Sequence, residues 1–594
     1  MIRYPLIALI AALVSVTGCS SNGDSTPIFD PGGGSSGART GAGAGALSGA
    51  GGSNTGATSA GSHFGGLGGT TTVPIASSGG LVNGGTTGTW LRNSGGTNGP
   101  TPSGGTTSSP SGGASNASTG GIAQAGTGGR SSNSSGGTSN PANGGTSGSI
   151  SGESGRASTG GAGGSGLGGS SPTVPGELDL IAAPNGKDSA PGTIDQPTTL
   201  SAALTRVTAG HSIFLRAGTY SSAVQLTIAR DNSGAKDKPK RLAAYGSERP
   251  VLDFSTQTYG SGSNPRGLQI NGNYWYVKGL EVKGAADNGI YVAGSNNVIE
   301  ACVTHGNRDT GLQIGRASSD QTNPADWPSN NLILNCESYD NYDAPPGSGE
   351  NADGFAAKLT VGNGNVFRGC VSHHNIDDGW DLYTKTETGP IGPVTIDRCV
   401  AYSNGTLTDG TSNDNGDRNG FKLGGDDIAV PHVVTRSVAF KNGKNGFTWN
   451  SNPGAIRLSN NLAFDNAEGN FKFGDNSTNT AAVFTNNVSL WTSTGSTQSD
   501  KAMGTDVANS NVWWDKSKSS VNAKGLVATS ADFASSLTTP KLSRAADGSL
   551  DFSTFSLASG SDLANAGVVP EGSLPFEPAD YYLGAPDLGA EETR

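Results

Sequence analysis

Cys370-Val371-Ser372-His373-His374-Asn375-Ile376-Asp377-Asp378-Gly379-Trp380-Asp381-Leu382 is one unit of a repeat that begins at Leu280 and fades after about Trp491. The position of Cys370 is held in the other units by Leu280, Cys302, Cys336, Cys399, Ser437 and Asn461. Five residues on, Ala285, Asn307, Asn341, Asn375, Asn404, Asn442 and Asn466 align, and a glycine then recurs at Gly289, Gly311, Gly354, Gly379, Gly420 and Gly446. Units are spaced by 22 to 38 residues, so the shortest is the bare repeat and the others carry insertions.

Behind each glycine the chain alternates. Ile290, Leu312, Phe355, Trp380, Phe421 and Phe447 form one column; Tyr291, Gln313, Ala356, Asp381, Lys422 and Thr448 the next; Val292, Ile314, Ala357, Leu382, Leu423 and Trp449 the third. Period-two alternation marks a strand with one buried face. Stacked units of about 22 residues with short strands and Gly/Asn turns predict an all-β fold, a right-handed parallel β-helix. The first and third columns are its core and the middle column faces out. Six asparagines in line at one bend predict a ladder of side-chain amides, at a position where Asn tolerates a left-handed backbone. His305, His373 and His374 are expected on turns beside it. Stacked residues on parallel strands point the same way, which suits free thiols at Cys302, Cys336, Cys370 and Cys399 better than disulfides. Thr198 to Val207 reads as a short amphipathic helix capping the open start of the coil, and Trp513-Trp514 with the tail from Leu557 to Ala590 is expected to cover the other end.

The rest of the chain differs in kind. Of the 96 glycines, 49 lie between Ser20 and Gly176, a stretch of 157 residues with seven charged side chains and no lysine. Such a segment has too little apolar surface to offset the entropy of ordering, so residues 19–176 are expected to form a Gly/Ser/Thr-rich disordered linker reaching about 70 Å, with the working domain at 177–594. Ahead of it, Arg3, the apolar run Tyr4 to Val16 and the closing Val16-Thr17-Gly18-Cys19 resemble the lipobox of bacterial lipoprotein signal peptides. The resemblance implies a signal peptide at 1–18, cleavage before Cys19 and a lipid anchor on its thiol. It implies an exported envelope lipoprotein, at the outer membrane or cell surface or released from it. The net charge is −11, and the part after Gly176 carries −13 once the five Arg and three acids before it are set aside. That disfavours nucleic acid as a partner, and a polyanion would need a local device such as a divalent cation. A monomer is expected.

Superposing the units gathers charge. Asp353 and Asp378 stand before the repeat glycine on adjacent rungs, about 4.8 Å apart. Asp377 precedes Asp378, Asp381 lies in the outward column, and the next outward residue is Lys422. Taken singly, Asp-Gly is an ordinary turn signal and Asp381 with Lys422 a surface ion pair worth under about 1 kcal/mol. Four carboxylates on two rungs are another matter, because their repulsion calls for a hard, oxygen-seeking cation such as Ca²⁺.

Asn351-Ala352-Asp353-Gly354-Phe355-Ala356-Ala357-Lys358-Leu359, Asp377-Asp378-Gly379-Trp380-Asp381-Leu382-Tyr383 and Asn419-Gly420-Phe421-Lys422-Leu423-Gly424-Gly425 resemble the active-site strands of family 9 polysaccharide lyases, pectate lyases of the parallel β-helix type. The likeness covers most of the chain after about Asp179 and is strongest from Tyr274 to Phe473. It implies Ca²⁺ held by Asp353, Asp377, Asp378 and Asp381, Lys422 as the Brønsted base, and polygalacturonate or pectin as substrate, cleaved by β-elimination. The resemblance is weakest at the long insertion Gly405 to Asp417, just ahead of Lys422, a place where the cleft and the product pattern can be reshaped. The physics suits these roles: the C5 proton of a uronate becomes acidic when the C6 carboxylate is neutralised, and a lysine must be neutral to take it. Arg418 and Lys385, with Arg308 and Arg316, are candidates to grip substrate carboxylates. Three alternatives stand beside this reading: a lyase for another polyuronate such as alginate, a polygalacturonase-type hydrolase working through aspartates, and a non-catalytic carbohydrate-binding surface β-helix.

Overall fold

The computed structural model describes residues 175–475, 480–493, 498–517, 519–572, 581–582 and 584–593. The signal peptide, Cys19 and the linker up to its last two residues lie outside them. Among the described residues, no helix is long and apolar enough to cross a membrane.

Three parallel sheets wind into one β-helix. The first has twelve strands, from Leu180–Ala182 to Thr505–Asp506; the second, called here the flank sheet, has ten, from Gly218–Ser221 to Val488–Leu490; the third, the cleft sheet, has ten, from Leu226–Ile228 to Lys501–Ala502. The register in the cleft sheet is the one the repeat gives: Ile290, Leu312, Phe355, Trp380, Phe421 and Phe447 pair along one column, and Tyr291, Gln313, Ala356, Asp381, Lys422 and Thr448 along the next. Inside the coil the aromatic column stacks continuously. Centroid distances are 4.9 Å for Phe355–Trp380, 4.8 Å for Trp380–Phe421, 4.7 Å for Phe421–Phe447 and 5.0 Å for Phe447–Phe471.

Two sharp corners bound the flank sheet, and each turns on a single residue with a left-handed backbone. At the first corner these are Gly279, Ala301, Asn335, Gly369, Arg398, Arg436, Asn460 and Asn486; at the second, Gly284, Gly306, Asp340, His374, Ser403, Lys441 and Asp465. A residue with a Cβ gives up about 1–2 kcal/mol in this conformation. The adjoining side chains offset that cost. Directly after the second corner, Asn307 Nδ2 donates to Asn341 Oδ1 at 2.9 Å, and the chain of amides continues through Asn375, Asn404, Asn442 and Asn466 to Asn470, each step between 2.7 and 3.0 Å. After the first corner come the four cysteines, all buried and free. Their column continues through Ser437 into a second amide ladder, Asn461 to Asn487 to Asn511, at 2.9 and 2.8 Å.

The helix Leu200–Arg206 caps the start of the coil: Thr199 Oγ1 accepts from the Ala202 N–H, and Leu200, Ala203 and Leu204 join the core beside Ile213 and Leu215. At the far end Trp513 closes on Phe471 and Phe484. The tail does something else than expected. Phe533, Leu537, Leu550, Phe552, Phe555, Leu557, Leu563 and Leu588 pack on Val371, Val400, Val438, Phe440, Leu462, Phe464 and Val488, the outer face of the flank sheet. Arg544 reaches the carbonyls of Gly369 and Cys336 at 2.9 and 3.2 Å. That outer face is unusually apolar, so the tail runs back along the flank rather than only plugging the end. His305 and His373 also differ from expectation: they end flank-sheet strands and stack on Tyr339 at 4.9 and 5.0 Å, and only His374 occupies a corner.

Asn375 sits mid-ladder, accepting from Asn341 at 2.7 Å and donating to Asn404 at 3.0 Å. Asn375→Ala strands both partners in the core and is expected to cost about 2–4 kcal/mol. A thermal unfolding scan should show a midpoint several degrees lower; an unchanged midpoint would deny the ladder its role.

Candidate active site

Three consecutive strands of the cleft sheet, Phe355–Ala357, Trp380–Asp381 and Phe421–Lys422, carry the charged cluster. Phe355, Trp380 and Phe421 anchor them from inside, and alternation turns Ala356, Asp381 and Lys422 to the opposite face. Asp353 and Asp378 enter from the bend just before. Glycine follows each of them because the Asn ladder runs directly underneath: a Cβ on Gly379 would lie 2.5 Å from the Gly420 carbonyl and 2.9 Å from Asn404 Nδ2. Although the middle column faces out of the coil, Asp381 and Lys422 are only 4% and 7% exposed, so the face is the floor of a cleft.

Carboxylate oxygens of Asp353, Asp378 and Asp381 lie within 4.8 Å of one another, and all three residues are buried. Lys358 Nζ bridges Asp353 Oδ2 at 2.8 Å and Asp381 Oδ2 at 3.2 Å. Lys422 Nζ stands 3.2 Å from Asp378 Oδ2, 3.8 Å from Asp381 Oδ1 and 3.0 Å from Asp417 Oδ2, with the Tyr383 ring 5.5 Å away. Asp417 Oδ1 in turn meets Lys444 at 3.2 Å. Asp377 faces the loop ahead of Lys422, where its Oδ1 accepts from the Asp417 and Arg418 N–H groups at 2.5 and 3.4 Å. Asp378 Oδ1 accepts from the Asn419 N–H and side-chain amide at 2.7 and 3.0 Å, and Thr310 Oγ1 donates to Asp353 Oδ2 at 3.0 Å.

Burial lifts the Asp353 carboxyl to about 7 and that of Asp378 to about 8, against the pull of Lys358 and Lys422 respectively; Asp377 is raised well above the carboxylate range by burial and by Asp378. Burial works to lower Lys422, yet Asp381, Asp378, Asp417 and Asp377 together hold its ammonium well above the usual lysine value. For Asp417, too, burial is outweighed: Lys422 and Lys444 hold it down at about 2. Burial is the main cause that raises the acids, while the neighbouring carboxylates raise the lysine. When all are ionised, five carboxylates, Asp353, Asp377, Asp378, Asp381 and Asp417, face three ammonium groups, Lys358, Lys422 and Lys444, and the surplus of two negative charges is what one divalent cation would cancel. Asp378 Oδ2 is buried and makes no hydrogen bond, its one partner being the Lys422 ammonium at 3.2 Å, so it can turn to a cation without breaking a hydrogen bond. The residues fit a hard divalent cation.

The chain from Leu180 to Ser489 matches the family model described as Pel9A-like, right-handed beta helix region. The chain belongs to that family. It is 55% identical over 397 residues to pectate lyase L of Paenibacillus polymyxa, covering 67% of this chain and 85% of the relative. The crystal structure of pectate lyase Pel9A is 35% identical, with a TM-score of 0.59, over 70% of this chain and 96% of that one; a rhamnogalacturonan lyase is 26% identical, with a TM-score of 0.50, over 63% and 95%. The protein is accordingly an enzyme, a polysaccharide lyase.

The cluster read from the repeat is thus assembled at Asp353, Asp378, Asp381 and Lys422, with Asp377 one step behind. The side chains of the other candidates have partners of their own outside the carboxylate cluster. Arg418 pairs with the exposed Asp414 at 2.6 Å, Arg308 lies 5.5 Å from the centre of the Tyr259 ring, the Arg316 carbonyl accepts from the Tyr291 hydroxyl at 2.9 Å, and Lys385 sits in the loop held by Asp426. Lys358 was overlooked, though alternation past Ala357 puts it on the cleft face. Asp417 had no such signal: it ends the insertion 405–417, which is held against the 340–351 loop by Thr408 on Asp340 and by Asn413 and Asn415 on the Ser348 carbonyl.

Proposed function

We propose that the enzyme is a calcium-dependent pectate lyase that cleaves α-1,4-linked polygalacturonate by β-elimination, with Lys422 as the base. The observation that supports this most directly is the Lys422 ammonium set against a buried, surplus-charged carboxylate cluster one strand away. Asp353, Asp378 and Asp381, with Asp377 behind them, would hold the calcium. When bound, Ca²⁺ neutralises the C6 carboxylate of the sugar and thereby acidifies its C5 proton.

The chain's own residues supply the rest. Neutral Lys422 takes the C5 proton; the electron pair of that bond forms the C4–C5 double bond, and the glycosidic oxygen leaves C4 with its bonding pair and is protonated by water. Lys358 keeps Asp353 and Asp381 facing each other across adjacent rungs. Ala356, beside Asp381, leaves the floor low where a sugar must approach. With Asp378 and Asp381 committed to a cation, Asp417 is the remaining carboxylate in contact with the Lys422 ammonium, and it keeps the amine protonated at neutral pH. The rate therefore rises towards alkaline pH. The lyase relatives set aside the hydrolase and non-catalytic readings; among uronans, polygalacturonate is favoured because 55% identity joins this chain to a pectate lyase over most of the domain. The reading extends to the N-terminus: an exported monomer, lipidated at Cys19, with the linker adding reach and not chemistry.

Three measurements test this. Ultraviolet absorbance of the unsaturated product should rise on polygalacturonate with Ca²⁺, stop in EDTA, and fall about 1,000-fold or more in Lys422→Ala; reducing ends without absorbance would mean hydrolysis. Asp417→Asn removes a charge that raises Lys422, so the amine is neutral at lower pH and the rising limb of kcat/KM should move down by about one pH unit. A limb that stays put would exclude Asp417 from setting the base. Finally, Cys19→Ser should move the enzyme from the membrane to the soluble fraction of its host.

A further inference from the structure

The cleft floor is not symmetrical about Lys422. Toward the C-terminal end of the coil the outward column continues from Lys422 to Thr448 and Lys472 on successive rungs. Toward the N-terminal end it runs through Asp381, Ala356, Gln313, Tyr291 and Gln269. Beside it, the position two residues before the repeat glycine is Asp287, Asp309, Ala352 and Asp377 on one side, then Arg418 and Lys444 on the other, with Glu468 on the rung after Lys444. The cation at the N-terminal side, Arg266, is engaged: it lies 3.4 Å from the centre of the Tyr291 ring and donates to Gln269 Oε1 and Asn288 Oδ1 at 3.0 and 3.3 Å.

Next to Lys422, across Asp417, opens a pocket of about 230 Å³ with Asn419, Lys444, Thr448, Trp449 and Lys472 in its lining and Asp475 exposed at its rim. Asp417 neutralises Lys444. Among the described residues no carboxylate pairs with Lys472, which is half-buried and lies two strand spacings, about 10 Å, from Lys422 along the coil. An unmatched ammonium in a polar pocket, in line with the base, is the complement of one more carboxylate on a polymer that carries one per sugar.

We propose that Lys472 is the carboxylate-binding group of a second uronate subsite, which holds a sugar on the C-terminal side of the one that loses its C5 proton. The inference rests on the uronan-lyase reading and adds a direction to it. The polymer fills the cleft mainly from Lys422 towards the C-terminal end, where free positive charge meets it, and only shortly on the side of Asp287 and Asp309, where a second carboxylate would be repelled.

The experiment compares the wild-type chain, Lys472→Gln and Lys472→Arg in steady-state kinetics on polygalacturonate at two salt concentrations, and maps the bond cut in end-labelled hexagalacturonate. For Lys472→Gln, KM is expected to rise about tenfold with kcat held within about twofold, the salt dependence of KM to weaken, and the cut position to shift; Lys472→Arg should restore KM to within about threefold. Lys472 is half-buried at the surface, so an unchanged melting midpoint certifies that the variants fold. An unchanged KM and cut position against an active wild type removes the subsite alone, and a fall in kcat with unchanged KM removes it as well. A wild type with no turnover of polygalacturonate removes the uronan reading, and the subsite with it.

Discussion

Everything in this molecule depends on rungs stacking at one strand spacing without slippage. A parallel sheet alone does not enforce that, because a slip by one residue would turn every side chain to the opposite face. Here the register is locked at the corners, where a left-handed residue starts each turn and a buried amide bonds the rung above and the rung below. The amide ladder is directional: each Nδ2 donates onward and each Oδ1 accepts from behind, so a missing rung leaves two unsatisfied groups in an apolar core. The same lock places Asp353, Asp378, Asp381 and Lys422 together although 69 residues separate the first from the last.

The repeat was legible because its period, its asparagines and its core aromatics all carry information in residue type. The cleft register followed from it, as did the capping helix and the free thiols. The corners were less visible: only a minority of the left-handed positions are glycine, and Arg398, Arg436 or Lys441 would not suggest that backbone in isolation. Arg436 takes it while its guanidinium is buried against Asp397 at 2.6 Å, a contact between rungs that no local pattern encodes. The tail's course along the flank was hidden for a similar reason. An apolar tail must cover something, but which face it covers depends on the outer column of Val400, Val438, Leu462 and Val488 being apolar as well.

At the site, the clustering of the aspartates was legible and their counter-charges were not. Lys358 and Asp417 convert a set of repelling acids into a balanced network short of one divalent charge. That balance explains how such a cluster folds: the ammonium groups of Lys358 and Lys422 sit among the oxygens that would otherwise repel. Under the proposed mechanism a cation on Asp378 and Asp381 would take away two of the carboxylates that hold the proton on Lys422 and leave Asp417 as the third.

The insertion 405–417 carries this logic from the active site to the substrate cleft. It is braced against the 340–351 loop, ends on Asp417, and there separates Lys422 from Lys444 while contacting both. One carboxylate thus contacts Lys422 and neutralises the nearest alternative cation, and among the described residues no carboxylate pairs with Lys472 in the pocket beyond. A domain with a net charge of −13 repels polyanions in bulk. Confining uncompensated positive charge to one side of one cleft lets it bind such a polymer in a single place and in a single direction.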